Sequence, residues 1–279
     1  MSYTFGGATG DDIVLPVVNA VCGPSVSGFF AGWFYPTNIS TSGRALLGMG
    51  NNLGKITISA TSGELDITLP AGTTNGVWTT SGLALTTNAW RFIAVAWSAI
   101  AGPTMDVRVW AGDATTPPVA VTVAQATAPV GTFTSATSAT LGNGAASASI
   151  AFIGDIGHID LISTNIAGGA NHPFGQSAYG AFSSEAEAIL LGRYAAPLWL
   201  GQARALPMGR VVNNTTSMQH VSLDLTLQPC AYRHVQTTSA NESLVSVTVN
   251  GATFSAQNPP RPRQGLGMAG YNARVVGRR

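Results

Sequence analysis

Glu64 and Asp66, in the stretch Gly63-Glu64-Leu65-Asp66-Ile67-Thr68-Leu69, are two carboxylates separated by a single residue. On a β-strand that spacing places both on one face, and a pair of carboxylates facing a sugar is the equipment of glycoside hydrolysis. The plainer reading, two solvent-facing strand residues beside the turn Thr61-Ser62-Gly63, is the one the local pattern favours. Asp11, Asp12, Asp113, Asp155 and Asp160 are the oxygens open to a calcium ion, but none stands in an Asp-x-Asn-x-Asp-Gly loop. Asp155 and the segment His158-Ile159-Asp160 are read instead as capping turns or pairing with backbone. The four histidines, His158, His172, His220 and His234, are scattered, so spacing argues for neither a zinc triad nor a Ser-His-Asp arrangement. No Gly-x-Ser-x-Gly elbow, phosphate-binding loop or dinucleotide fingerprint is present. The expectation is a protein without catalytic residues, metal or cofactor.

Two further residue sets can bind rather than react. Trp78, in Thr-Thr-Asn-Gly-Val-Trp-Thr-Thr, reads as an exposed loop tryptophan and is the candidate for stacking on a sugar ring. Residues 261–279 carry Arg261, Arg263, Arg274, Arg278 and Arg279 and no acid. Between these arginines lie Leu266, Met268, Tyr271, Val275 and Val276, so the segment combines apolar anchors with guanidinium forks suited to carboxylates on a partner. A nucleic-acid tail would be denser in lysine and arginine. Fully extended, such a segment reaches roughly 60 Å. It is read as a docking arm.

Charge and composition agree with a chain that works by contact. Only 9% of its 279 residues are charged, 45% are hydrophobic, and the formal net charge is +1, which gives no global pull toward nucleic acid. Lys55 is the only lysine, so nearly all positive charge is guanidinium. A surface of hydroxyls, amides and small residues suits packing against neighbours, where each buried ion would need a partner. Cys22 and Cys230 lie far apart without metal-type spacing and are read as reduced buried thiols, with a bridge between them as the alternative. The first residues lack the basic and apolar regions of a signal peptide, and the longest apolar run, around residues 92–102, falls short of the roughly 20 residues of a membrane helix.

The elements that hold these residues follow a period of two. Ile56 to Ala60 and Leu65 to Leu69 flank a turn and read as a hairpin, as do the strands around Asn250-Gly251. Val221, Leu223, Leu225 and Leu227 alternate with His220, Ser222, Asp224 and Thr226, the pattern of a half-buried strand. One short helix is expected where Ser184 and Glu187 form a capping box before Ala188-Ile189-Leu190-Leu191. The fold class is therefore all-β.

Gly32-Trp33-Phe34-Tyr35-Pro36-Thr37, the strand Trp90-Arg91-Phe92-Ile93-Ala94-Val95-Ala96-Trp97, and Ile150 to Ser163 with its Gly157-His158-Ile159-Asp160 element resemble the laminin-G-like branch of the concanavalin A-like jelly rolls. The resemblance covers about residues 10–165. It implies a β-sandwich in which the Trp90–Trp97 strand is central and apolar on both faces. Glucanases of this fold carry a third acid after Glu-x-Asp, which Glu64-Leu65-Asp66 lacks. The expected organisation is a jelly roll over 1–165, a Gly-rich connection with the short helix over 166–204, a small β extension over 205–260 and the basic arm over 261–279.

With the arm, this body resembles accessory virion proteins of tailed bacteriophages. The resemblance implies a capsid decoration or cement subunit made in the host cytoplasm and resident in the virion. Its partners would be the major capsid protein or other virion subunits, in a homo-oligomer or multi-copy assembly, with no membrane and no nucleic acid. The alternative is a carbohydrate-binding module or adhesin that holds a glycan through jelly-roll loops and Trp78.

Overall fold

The computed structural model describes residues 3–165 apart from 9–10, 16, 18–19, 25, 40–43, 51–52, 102–103 and 143–149, and five further strands between 218 and 254. In chain order these are β1 (Tyr3–Gly6), β2 (Ile13–Leu15), β3 (Val26–Pro36), β4 (Arg44–Met49), β5 (Gly54–Ile58) and β6 (Leu65–Leu69). They continue with β7 (Gly76–Ser81), β8 (Arg91–Ala101), β9 (Thr104–Asp113), β10 (Val119–Thr127), β11 (Ala139–Leu141) and β12 (Ile153–Asn165). The last five are β13 (Met218–Asp224), β14 (Tyr232–Thr237), β15 (Glu242–Ser243), β16 (Val247–Val249) and β17 (Ala252–Phe254). No helix occurs among the described residues; the capping box at Ser184 and Glu187 lies outside them.

Every pairing is antiparallel, and the strands form two sheets that share β10. In the first, β9, β8, β3 and β12 lie side by side, and the far edge of β12 takes β1 against Ile153–Ile156 and β13 against His158–Thr164. β14 and β15 continue outward from β13. The second sheet runs β7, β6, β5, β4, β11, β2, β16, β17. Val119–Val121 of β10 pair with β9 and Thr122–Thr127 pair with β7, so this strand passes from one sheet to the other along one side of the sandwich. The result is an all-β jelly-roll sandwich. Strands from the 205–260 stretch lengthen both sheets.

The core lies between the sheets and follows from alternation. Phe30 and Phe34 of β3, Ile93, Val95 and Trp97 of β8, and Ile67 and Leu69 of β6 belong to one buried cluster. Each large apolar side chain so buried stabilises the fold by about 1.5–3 kcal/mol. The alternate residues of the first sheet are apolar too: Phe29, Ala31 and Trp33 form a second buried cluster with Phe92, Ala94, Ala96, Trp110 and Ile162. β8 is thus interior and buried on both faces, as the Trp90–Trp97 pattern implies. Gly28 is required where the Trp97 ring crosses β3, because a Cβ there would overlap the ring. The β5–β6 hairpin turns through Gly63 at φ 68°, a conformation that favours glycine.

β12 positions most of the chemistry-bearing residues of the first sheet. Its register against β3 shifts between Ile156 and Ile159, so both isoleucines reach the core although they are three positions apart. After the shift Ile159 and Leu161 face the core, and His158, Asp160 and Ile162 fall on the opposite face. β12 is flanked on both sides and is not an edge.

Candidate functional site

The Glu64–Asp66 pair is built into the framework. Glu64 sits just before β6, and its Oε2 accepts from the Thr80 hydroxyl at 2.6 Å and from Leu83 N at 3.2 Å. Its Oε1 accepts from Gly82 N at 3.0 Å and Ala84 N at 3.3 Å. Gly82 and Ala84 both have positive φ, 86° and 43°, and the three successive amides form a concavity of the kind that binds anions. The chain's own carboxylate fills it. Burial draws the Glu64 carboxyl upward, but the Thr80 hydroxyl and the amides of Leu83, Ala84 and Gly82 outweigh that and hold it below its ordinary range. Asp66 Oδ1 accepts from the Thr79 hydroxyl at 2.8 Å across the β6–β7 ladder. Both acids therefore bind β6 to β7 and the loop that follows.

Further described carboxylates are engaged as well. Asp155 accepts from the Thr4 hydroxyl at 2.6 Å, directly across from it in the β1–β12 pair. Asp11 accepts from the amides of Gly6 and Gly7. Its neighbour Asp12 is raised above its ordinary value by burial and by the adjacent Asp11 charge. Asp113 closes the turn after β9, where the Thr115 amide, the Thr115 hydroxyl and the Thr116 amide bring its carboxyl down to about 2. Among the described side chains no group of three His, Cys, Asp or Glu converges on one point.

His158 and Asp160 form a side-chain pair within one strand. They lie inside β12 and bond to one another: His158 Nε2 lies 2.6 Å from Asp160 Oδ2, and Asp160 is fully buried. A strand's alternation puts residues two apart on one face, and this is the signal that the spacing carried.

Trp78 requires a correction. It lies in β7, not in a loop, and is 5% exposed within the main core, so it presents no face to a sugar. The neighbouring strands β6 and β10 turn Val77-Trp78-Thr79 into a strand whose alternation buries the ring. Cys22 is a buried, unbridged thiol, pushed up to about 12 mainly by burial. Cys230, His172 and the arm residues Arg261, Arg263, Leu266, Met268, Tyr271, Arg274, Val275, Arg278 and Arg279 lie outside the described residues.

No protein-family model matches the chain, and neither does any curated protein. Among solved structures it is similar to a heptameric SAP-like pentraxin from Limulus polyphemus, with 10% identity and a TM-score of 0.33 over 55% of this chain and 76% of that one. It is also similar to domains LG4-5 of the mouse laminin alpha1 chain, with 11% identity and a TM-score of 0.41 over 57% of this chain and 41% of that one. These likenesses are of fold alone. The jelly roll itself rests on the strand order.

Proposed function

We propose that this chain is a structural virion protein, a capsid decoration or cement subunit whose jelly-roll body bridges neighbouring capsid subunits and whose residues 261–279 dock it. The observation that carries this reading is the segregation of charge. Residues 1–260 hold eight basic and twelve acidic side chains, a net charge of −4, whereas 261–279 hold five arginines and no acid. A cationic, apolar-studded segment joined to an anionic, charge-poor body is complementary to other copies of that body and to acidic partner surfaces. The described carboxylates support a mechanical role, since Glu64, Asp66, Asp113 and Asp155 are spent on bonds between strands and turns.

The test is co-sedimentation of the full chain with capsids that lack it, beside a variant with Arg261, Arg263, Arg274, Arg278 and Arg279 all replaced by alanine. The wild type should sediment with the capsids and the variant should not, with wild-type binding weakened by salt. Failure of the wild type to bind would overturn the reading, and glycan binding in its place would favour the adhesin.

A further inference from the structure

One end of the first sheet carries aromatic rings beside carboxylates on the face turned away from the main core. Asp155 of β12 stands directly across from Tyr35 of β3 on one side and from Thr4 of β1 on the other, and directly paired residues of an antiparallel ladder share a face. The next pair along, Phe34 and Ile156, belongs to the main core, so Thr4, Asp155 and Tyr35 point the other way. The Trp90 ring, just before β8, lies against Tyr35 with ring centroids 5.4 Å apart and planes tilted by 46°. A Cβ on Gly157 would stand 3.7 Å from Trp90 Cζ3, so the indole reaches across β3 toward β12. Asp11 joins from the β1 side: it accepts from the Gly6 amide, and a Cβ on Gly6, two residues along β1 from Thr4, would meet its Oδ2 at 3.6 Å. Tyr35, Trp90, Asp11 and Asp155 are all half-buried. The described basic residues are placed elsewhere: Arg91 pairs with Asp113, Arg108 with Asp106, and Arg44 and Lys55 belong to the second sheet.

We infer that this surface receives the arginine-bearing segment 261–279 of a second copy of the chain, with a guanidinium laid on the Tyr35–Trp90 rings and paired to Asp155. The inference rests on the docking role proposed above for that segment and names the surface that takes it. A guanidinium is planar, stacks on aromatic faces and donates as a fork to a carboxylate, so rings beside a carboxylate suit it better than they suit an ammonium. Asp155 binds the Thr4 hydroxyl through Oδ1 at 2.6 Å, and its Oδ2 carries no bond among the described residues. Charge complementarity points to the occupant: the surface sets Asp155 and Asp11 together, while five of the chain's thirteen basic residues, with no acid among them, fall in 261–279. Reach allows it, because residues 255–279, which follow β17, span roughly 80 Å when fully extended. Each copy carries both the segment and the surface, so two copies can exchange segments about a two-fold axis.

The test is sedimentation velocity of the full chain at rising concentration, without capsids, in low and high salt. The wild type should self-associate, and salt should weaken the association. The variant with all five arginines of 261–279 replaced by alanine should stay monomeric, and Asp155→Asn and Trp90→Leu should each weaken association about tenfold or more, whereas Asp113→Asn, an acid outside the surface, should associate as the wild type does. Asp155→Arg should also be monomeric alone; mixed with the five-alanine variant, which keeps the surface, it should form a heterodimer that neither forms by itself. Circular dichroism separates loss of the surface from loss of the fold, and the Asp155 variants keep the test open if Trp90→Leu unfolds. A monomeric wild type, association that survives in the folded five-alanine and Asp155→Arg variants, or a mixture that gives no heterodimer would overturn the proposal. A wild type that stays monomeric yet sediments with capsids would put the fault in this surface and not in the docking reading. Binding of a neutral oligosaccharide by a monomeric wild type, lost in folded Trp90→Leu, would also overturn it and give the rings to a sugar.

Discussion

The Thr80 hydroxyl bridges two parts of the second sheet: it donates to Glu64 Oε2 at 2.6 Å while its oxygen accepts the Leu65 amide at 2.8 Å. Thr80 is 3% exposed, so both bonds are sheltered from water. Together with the amides of Gly82, Leu83 and Ala84, this makes Glu64 the fastening between β6 and the loop after β7. Hydrogen bonds to a charged group contribute about 1.5–3 kcal/mol net when buried and less when partly exposed. Glu64→Ala should therefore destabilise the fold by about 1–3 kcal/mol in urea unfolding. A folded Glu64→Ala protein of unchanged stability would remove the framework role.

Acid should weaken the fold through the depressed carboxylates. Glu64 lies below its ordinary 4.5 and Asp113 falls from 3.8 to about 2. A carboxylate depressed in the folded state contributes stability above its unfolded pKa, and that contribution is lost as pH falls through the folded value. The loss should run from about pH 4.5 down to about pH 2, and Asp113→Asn should flatten the lower part of the profile. Urea midpoints measured across this range check it; identical slopes in wild type and variant would count against the turn contacts of Asp113.

Replacing Trp78 should act on folding rather than on ligand binding. Loss of a buried indole costs about 3–5 kcal/mol, so Trp78→Ala should shift the urea midpoint sharply. Gly28→Ala should cost about 1–3 kcal/mol by forcing the Trp97 ring aside, which also strains the 3.0 Å bond from Trp97 Nε1 to Val21 O. Native-like stability in either variant would contradict the packing described for β3, β7 and β8.

The Cys22 thiol should resist alkylation in the folded protein, because burial keeps it protonated and out of reach. Iodoacetamide at pH 8, with modified sites mapped by mass spectrometry, should leave Cys22 intact until denaturant is added. Rapid labelling of Cys22 without denaturant would show that the segment bridged to Ala136 opens.

Much of the jelly roll is legible in the chain because its signals are local. The β5–β6 hairpin shows in Ile56, Ile58, Leu65 and Ile67 around Gly63, and the central place of β8 shows in a strand apolar on both faces. Trp78 is misread because Gly76 to Ser81 is short and flanked by polar residues; it becomes a buried strand only through β6 and β10, which pair with it from elsewhere in the chain. The His158–Asp160 bond is visible as spacing, but its face is set by the register shift between Ile156 and Ile159, which depends on β3. The pairing of β13 and β14 onto β12 joins strands separated by a long connection, and no local pattern announces it.

The central claim is that this chain acts by docking on a virion shell through residues 261–279. Electron cryomicroscopy of capsids rebound with the full chain tests it most directly. The account predicts added density for a two-sheet body across the junctions between capsid subunits, with the arginine-bearing segment lying on a neighbouring subunit. Capsids that show no added density at saturating protein, or a body attached with 261–279 turned away from every subunit, would contradict it.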